Sequence, residues 1–371
     1  MNNGSELIYK IALSLLDGIN APFAKAMEEA GLSCCEFFSL SISEITRVAH
    51  NHKISQLMLD NALRRAEEEL KFNERHSIRT LYLTDDDYPP LLREIPDAPV
   101  VLYVLGNGNL ATVPSIGVVG TRRCTSYGLN FCQQFVSGIA SALPGSSIVS
   151  GLAYGIDAAA HNAALVNNLP TFAIVAHGLD MIYPAAHRDL ARRIVEAGGA
   201  IATEFPTHMR PLQGNFLKRN RIIAGLSEMI MVVESEVKGG AMSTASSAFS
   251  YSREVVALPG RYTDISSSGC NLLIQQQKAN IFTSVGDVIK LMGWKPVNSE
   301  TNAAIEKSLF PELEDDAAKI YTFLREKAAP QSIDLIHIAT GIPMPNLMST
   351  LAELEFEGLI AKVPGNRYEL S

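Results

Sequence analysis

The sequence predicts an α/β protein with a doubly wound parallel sheet at its centre, a helical module before it and a winged-helix-like unit after it. Three observations predict this. Between Ser115 and Met292, short unalternating apolar runs are separated by helical stretches; from Leu7 to about His76, apolar residues recur at helical spacing; and from Glu312 to Ser371, helical periodicity gives way to two short extended runs. A length of 371 residues accommodates two to three domains, and 47% hydrophobic with 19% charged residues describes a soluble globular chain rather than a disordered scaffold.

In the first module, Ile8, Ile11 and Leu15, then Leu57, Leu63 and Leu70, mark apolar helical faces. Arg64, Arg65 and Glu67 to Glu69 read as a solvated, charged face. Leu16-Asp17-Gly18-Ile19-Asn20 is similar to a helix-hairpin-helix turn, yet Asn20 replaces the second glycine and the next helix offers only Lys25, so helix packing is the preferred reading. Next comes a bridge, Asp85-Asp86-Asp87-Tyr88-Pro89-Pro90 with Pro96 and Pro99, whose prolines block helix before an extended run at Leu102–Leu105.

Seven apolar runs follow: Ile116–Val119, Ile148–Ser150, Phe172–Ala176, Ala200–Thr203, Met229–Val233, Val255–Leu258 and Asn280–Phe282. Continuous apolar strands flanked by helices imply a parallel sheet covered on both faces. Trp294, Pro296 and the polar Asn298–Asn302 read as a linker. In the tail, Ile320, Phe323 and Leu324, then Leu347, Leu351 and Leu354, mark helices, followed by a hairpin of Leu359–Lys362 and Arg367–Leu370 around Pro364-Gly365. The expected boundaries are 1–80 for a SAM-like or helix-hairpin-helix-like helical module, 81–295 for the core, 296–311 for the linker and 312–371 for the winged-helix-like domain.

With 31 Lys plus Arg against 39 Asp plus Glu, the net charge is −8, so any polyanion would have to be held by locally focused positive charge. Five cysteines without CxxC spacing read as reduced packing thiols. The first residues lack the basic flank and apolar run of an exported protein, and no stretch reaches membrane-spanning length, so a cytoplasmic protein with no membrane association is expected. GxxxxGK[ST], GxGxxG with its acidic partner, HExxH and GxSxG are all absent. The sequence therefore predicts no catalytic residues, no metal and no cofactor, and a binding platform rather than an enzyme.

Ligands of open α/β sheets bind outside the carboxyl ends of the strands. The loops there are Gly120-Thr121-Arg122-Arg123, Ser150-Gly151-Leu152-Ala153-Tyr154-Gly155-Ile156-Asp157, His177-Gly178-Leu179-Asp180 and Lys238-Gly239-Gly240-Ala241-Met242-Ser243-Thr244. Glycines let backbone amides approach an anion, a helix N-terminus adds a favourable dipole, and an arginine fork suits phosphate oxygens. The competing reading gives each glycine to turn geometry and pairs Arg122 or Arg123 with Asp157 or Glu204. Lys218-Arg219-Asn220-Arg221 offers a second basic feature, with a solvated charge run as its alternative; Phe216 either stacks on a base or anchors its loop.

Taken in order, Val118-Val119-Gly120-Thr121-Arg122-Arg123, the run from Ser150 to His161, Arg219-Asn220-Arg221-Ile222-Ile223-Ala224-Gly225-Leu226-Ser227, Leu258-Pro259-Gly260 and Gly269-Cys270-Asn271-Leu272-Leu273-Ile274 closely resemble the DprA (Smf) family of DNA-processing proteins. The strong part of the resemblance covers roughly Tyr88 to Gly293. It implies an extended Rossmann-like core that binds single-stranded DNA, forms a homodimer and loads the RecA recombinase in natural transformation, with no catalysis. Arg122 takes the place of the arginine in the family's G-S/T-R phosphate loop, Arg219 and Arg221 those of its RNR motif, and Ser150, Gly151 and Gly155 match its SGxAxGID loop. The candidate DNA-binding set is Gly120, Thr121, Arg122, Arg123, Ser150, Gly151, Gly155, Lys218, Arg219, Asn220, Arg221, Gly240 and Ser243.

The chain departs from the family at Ala185-Ala186, where many members carry a basic residue after Tyr-Pro, and at Lys238 to Ser243, which replaces a loop of small residues. An alternative on the same core is a nucleotide phosphoribohydrolase of the lysine-decarboxylase-like family. That family's PGGxGTxxE is here Pro259-Gly260-Arg261-Tyr262-Thr263-Asp264, without the carboxylate at that spacing. From Glu312 to Ser371, ten acidic residues face five basic ones, so the tail is expected to repel DNA and to meet a protein surface instead.

Overall fold

The structure is a computed structural model that describes residues 3–49, 54–297, 315–327, 330–356, 359–363 and 367–370. The chain divides into two compact units, Met1–Val297 and Asn298–Ser371. The first begins with helices α1 (Asn3–Ser14), α2 (Ala21–Glu29), α3 (Cys34–Ser39), α4 (Ile42–Ala49) and α5 (Gln56–Arg75). Asn20, the residue standing where a hairpin glycine was sought, caps α2 by accepting from the Phe23 amide at 3.1 Å. Ser33 and Glu36 form a reciprocal capping box on α3.

After α5 come β1 (Ile78–Tyr82), α6 (Pro90–Glu94), β2 (Val101–Leu105), β3 (Ser115–Val119), α7 (Ser126–Ala142), β4 (Ser147–Ser150), α8 (Ile156–Val166) and β5 (Thr171–Ile174). The unit continues with α9 (Arg188–Glu196), β6 (Ala200–Thr203), α10 (Gln213–Leu226), β7 (Met229–Val232), α11 (Gly240–Ser250), β8 (Glu254–Ala257), α12 (Ser268–Gln275), β9 (Asn280–Ile281) and α13 (Val285–Met292). All seven apolar runs are strands of one sheet, ordered β1-β2-β6-β5-β4-β3-β7-β8-β9. The seven pair in parallel, while β2 joins β6 and β1 joins β2 antiparallel.

Burial explains why the runs do not alternate. Ile116, Val118, Met229 and Met231 face a core shared with α7, α8 and α13, whereas Val119, Ile230 and Val232 face the opposite core, which continues into α10, α11 and the N-terminal helices. Both faces are dry, so both sets of side chains are apolar. Strand β1 escaped the sequence reading because the break after α5 is made by Ser77 in a left-handed conformation, φ 54°, with no glycine or proline to mark it.

Of the charged face of α5, Arg64, Glu67 and Glu68 are exposed as expected, but Glu69 and Arg65 turn inward. Glu69 is 2% exposed and accepts from the Thr207 amide at 2.9 Å and the Thr207 hydroxyl at 2.6 Å. Arg65 donates to Glu69 at 2.8 Å and to the Thr207 carbonyl at 2.7 Å. The network fastens the helical module to the connection between β6 and α10.

The second unit contains α14 (Asp315–Lys327), β10 (Gln331–Ser332), α15 (Ile333–Thr340), α16 (Met344–Phe356), β11 (Ile360–Val363) and β12 (Arg367–Leu370). Its antiparallel sheet runs β10-β12-β11 around a core that includes Ile320, Leu324, Leu347, Leu351, Leu354 and Tyr368. Helices beside a small three-stranded sheet match the winged-helix expectation, and α16 exposes Glu353 and Glu355. The linker beyond Val297 and the Pro364-Gly365 turn lie outside the described residues.

Replacing Glu69 with Ala leaves the Thr207 amide buried without its acceptor. Urea unfolding should show a loss of about 1.5–3 kcal/mol, the worth of hydrogen bonds to a charged group. An unchanged midpoint would mean that the clamp contributes nothing.

Candidate nucleic-acid interface

Strand β3 is the centre from which β4, β5 and β6 step to one side and β7, β8 and β9 to the other. Such a reversal opens a crevice between the two neighbouring strand ends. At the carboxyl ends of β3 and β7 lies a cleft of about 730 Å³. One wall is the Gly120–Arg123 loop, another the α10 face bearing Phe216, Arg219 and Asn220, and a third the Ser235–Gly240 turn into α11.

Carboxylates of the protein bind the loops that lead into two of the helices around this crevice, α7 and α8. Glu234, buried after β7, accepts from the Thr125 amide at 2.8 Å and the Thr125 hydroxyl at 2.6 Å at the start of α7. Asp157 accepts from the amides of Gly151 and Ala153 at 3.1 and 3.3 Å at the start of α8. Burial raises the Asp157 carboxyl above its usual range, a shift opposed by Arg219 and those two amides. Helix α11 differs. Its cap residue Gly239 supplies no side-chain bond, Gly240 has open space where a side chain would stand, and exposed Lys238 precedes them. The amides and dipole of α11 are therefore offered to the cleft.

Arg122 and Arg123 are exposed and carry no ion pair among the described residues. The Arg122 guanidinium lies 5.3 Å from the centroid of the Phe216 ring, and that of Arg219 lies 5.9 Å from the same ring. Arg219 is itself 4% exposed and donates to the carbonyls of Gly151, at 2.6 Å, and Ile174. Burial lowers its pKa to about 10, with Asp157 opposing the shift, so it keeps its charge at neutral pH. Asn220 donates to the Gly240 carbonyl at 3.3 Å and so ties α10 to the start of α11. Glu204 pairs with Arg221, which also lies 3.8 Å from Asp97; the carboxylates considered as partners for Arg122 and Arg123 are thus engaged elsewhere.

The glycines fit protein rather than empty space. A Cβ at Gly120 would lie 2.6 Å from Ile156, one at Gly151 would lie 1.9 Å from the Arg219 guanidinium, and one at Gly155, φ +77°, would lie 2.3 Å from the Thr121 carbonyl. The two loops, α8 and α10 can approach one another only because these residues lack side chains. Of the expected site residues, Gly120, Thr121, Arg122, Arg123, Arg219, Asn220 and Gly240 line the cleft, whereas Ser150, Gly151, Gly155, Lys218, Arg221 and Ser243 do not. Ser150 is buried and donates to the Val118 carbonyl at 2.6 Å, joining β4 to β3. Gln213 and Leu217 line the cleft without having been singled out, and Thr244 does so at the end of the stretch 238–244; Leu217 beside Phe216 on a polar helix start was the only hint for the first two.

A methyl group at Gly151 must displace the Arg219 guanidinium from two carbonyls. Gly151→Ala should therefore destabilise the fold by about 1–3 kcal/mol in chemical unfolding, and by clearly less when Arg219 is already Ala. Equal costs in both backgrounds would separate Gly151 from Arg219.

Residues 79–293 match the family model described as DNA recombination-mediator protein A, and residues 306–366 match that of the DprA winged helix domain. Protein Smf of Synechocystis sp. is 34% identical over 334 residues, covering 81% of this chain and 82% of that protein. The X-ray structure of DNA processing protein A (DprA) from Streptococcus pneumoniae aligns with a TM-score of 0.65 at 32% identity, over 78% of this chain and 98% of that one. A structure of DNA processing protein A from Helicobacter pylori, solved for its single-stranded DNA binding mode, aligns with a TM-score of 0.52 at 29% identity, over 58% of this chain and 95% of that one.

Proposed function

Because this chain belongs to the DNA recombination-mediator protein A (DprA/Smf) family, we propose that it binds single-stranded DNA in the cleft between β3 and β7 and acts without catalysis. The observation that carries this reading is the exposed Arg122 guanidinium over Phe216, beside the uncapped N-terminus of α11. A phosphate at this place meets an arginine fork and free backbone amides, while a base meets an aromatic ring. Paired bases keep their faces stacked inside the duplex, so the ring favours an unpaired strand. Helix α16 does not offer a groove-reading alternative, since Glu353 and Glu355 on its exposed face would stand against phosphates.

The physiological role proposed with this binding is the loading of RecA recombinase onto the bound strand in the cytoplasm during homologous recombination, natural transformation included. A homodimer would place two clefts on one strand and multiply affinity by avidity. The hydrolase alternative has less support: Glu204 is held by Arg221 and Glu234 by Thr125, so neither carboxylate is presented to a substrate.

Fluorescence anisotropy tests the reading directly. A labelled oligothymidylate should bind more tightly than a duplex of equal length, and the logarithm of affinity should fall with the logarithm of salt by about 0.7 for each neutralised phosphate. Arg122→Ala should weaken binding by about 1.5–3 kcal/mol, whereas Arg47→Ala, on an exposed position of α4, should have little effect. Equal affinity for duplex, a flat salt response or an unaffected Arg122→Ala would overturn it.

Ending the chain after Val297 removes the second unit, and the first retains its own cores. The shortened protein should bind the same oligonucleotide within about tenfold, or 1.4 kcal/mol, of the full chain. A larger loss with the fold intact, measured by circular dichroism, would make the winged-helix unit a DNA-binding element.

A further inference from the structure

We propose that His177 is a positioning residue for this cleft: it latches the loop that follows β5 so that Tyr183 braces Phe216 at the rim. The inference rests on the single-strand reading above and adds to it a residue that lies outside the cleft wall. His177 is buried, and both ring nitrogens are committed. Nδ1 lies 2.9 Å from the Gly178 carbonyl, which can only accept, so Nδ1 carries the proton. Nε2 is therefore bare, and it accepts from the Tyr183 amide at 3.1 Å.

These two contacts fix one neutral tautomer and span the loop. The half of the loop next to His177 is held separately: the Gly178 amide donates to the Met209 carbonyl at 3.0 Å, and Asp180 accepts from the His208 amide at 3.0 Å. Tyr183 depends on His177 for its amide bond. Its ring lies 6.1 Å from that of Phe216 and is 42% exposed, so it supports the cleft ring on one side and extends the aromatic surface on the other.

Protonation of His177 would turn Nε2 into a donor facing another donor and undo the latch. Burial, first of all, holds the ring neutral to lower pH than an ordinary histidine; Arg219 of α10 acts in the same sense, and Asp180 of the loop, itself 3.4 Å from His208, acts against it. The sign of the resulting pH dependence is diagnostic. Added positive charge by itself strengthens binding to a polyanion, whereas opening the latch weakens it.

The experiment measures oligothymidylate affinity by anisotropy from pH 7.5 down to pH 5, with amide exchange of Tyr183 at neutral pH as a second readout. His177→Leu should speed exchange of the Tyr183 amide and weaken binding by about three- to tenfold, the size of one lost neutral hydrogen bond. Tyr183→Ala should weaken binding to a similar degree, and the double variant should be no worse than Tyr183→Ala alone. His177→Gln, whose side-chain oxygen can stand in for Nε2, should bind like the parent at neutral pH and should lack the parent's loss of affinity in acid. Parent-like binding by His177→Leu, additive losses in the double variant, or an acid response retained by His177→Gln would each overturn the inference while leaving the single-strand reading in place. Should His177→Leu fail to fold, Tyr183→Ala and the His177→Gln pH profile decide. A parent chain that does not bind the oligonucleotide overturns both.

Discussion

The guanidinium of Arg219, inserted between the carbonyls of Gly151 and Ile174, ties the ends of β4 and β5 to α10, and the loops around the cleft are arranged to accommodate it. Withdrawing a cation from water is unfavourable unless its donors are met and an opposite charge is near. Two carbonyls meet Nη1, while the buried Nε is left without a protein partner, and Asp157 supplies the opposite charge. Asp157 in turn draws in the amides of Gly151 and Ala153, which fixes the loop whose missing Cβ makes the space for Arg219. Arginine, carboxylate and glycine are therefore one construction, and its exposed product is a positively backed aromatic ring at Phe216.

An acidic protein that handles a polyanion has to decide where negative charge is allowed. Here Glu234 and Asp157 occupy the helix ends at α7 and α8, so carboxylates stabilise the dipoles of those helices internally. Both α8 and α11 start from a glycine cap, and at α11 that glycine is preceded by the exposed Lys238. The chain's net charge of −8 thus coexists with a cleft in which arginines and a lysine face solvent beside a single exposed carboxylate, Glu236.

The core was legible in the sequence because strands dry on both faces must be apolar throughout, which gave each of the seven parallel strands away. The antiparallel additions were less visible: β1 begins at a left-handed serine, and β2 is an ordinary extended run whose partner, β6, lies about a hundred residues later. Among site residues, sequence showed which cations gather but not which way each one points. Lys218, Arg219 and Arg221 look alike in a string, yet helical geometry leaves the first exposed, buries the second and pairs the third with Glu204. Nor can local pattern reveal that Glu69 will meet Thr207, a contact made across 138 positions.

That last contact bears on how such a protein can be rearranged. Thr207 stands in the connection that delivers the chain from β6 into α10, and its amide is received by a carboxylate belonging to a helix of the N-terminal module. The module therefore supplies part of the foundation of the binding face while contributing no residue to its surface. Domain shuffling that treats the boundary near residue 77 as a clean seam would transplant the core without one of its anchors.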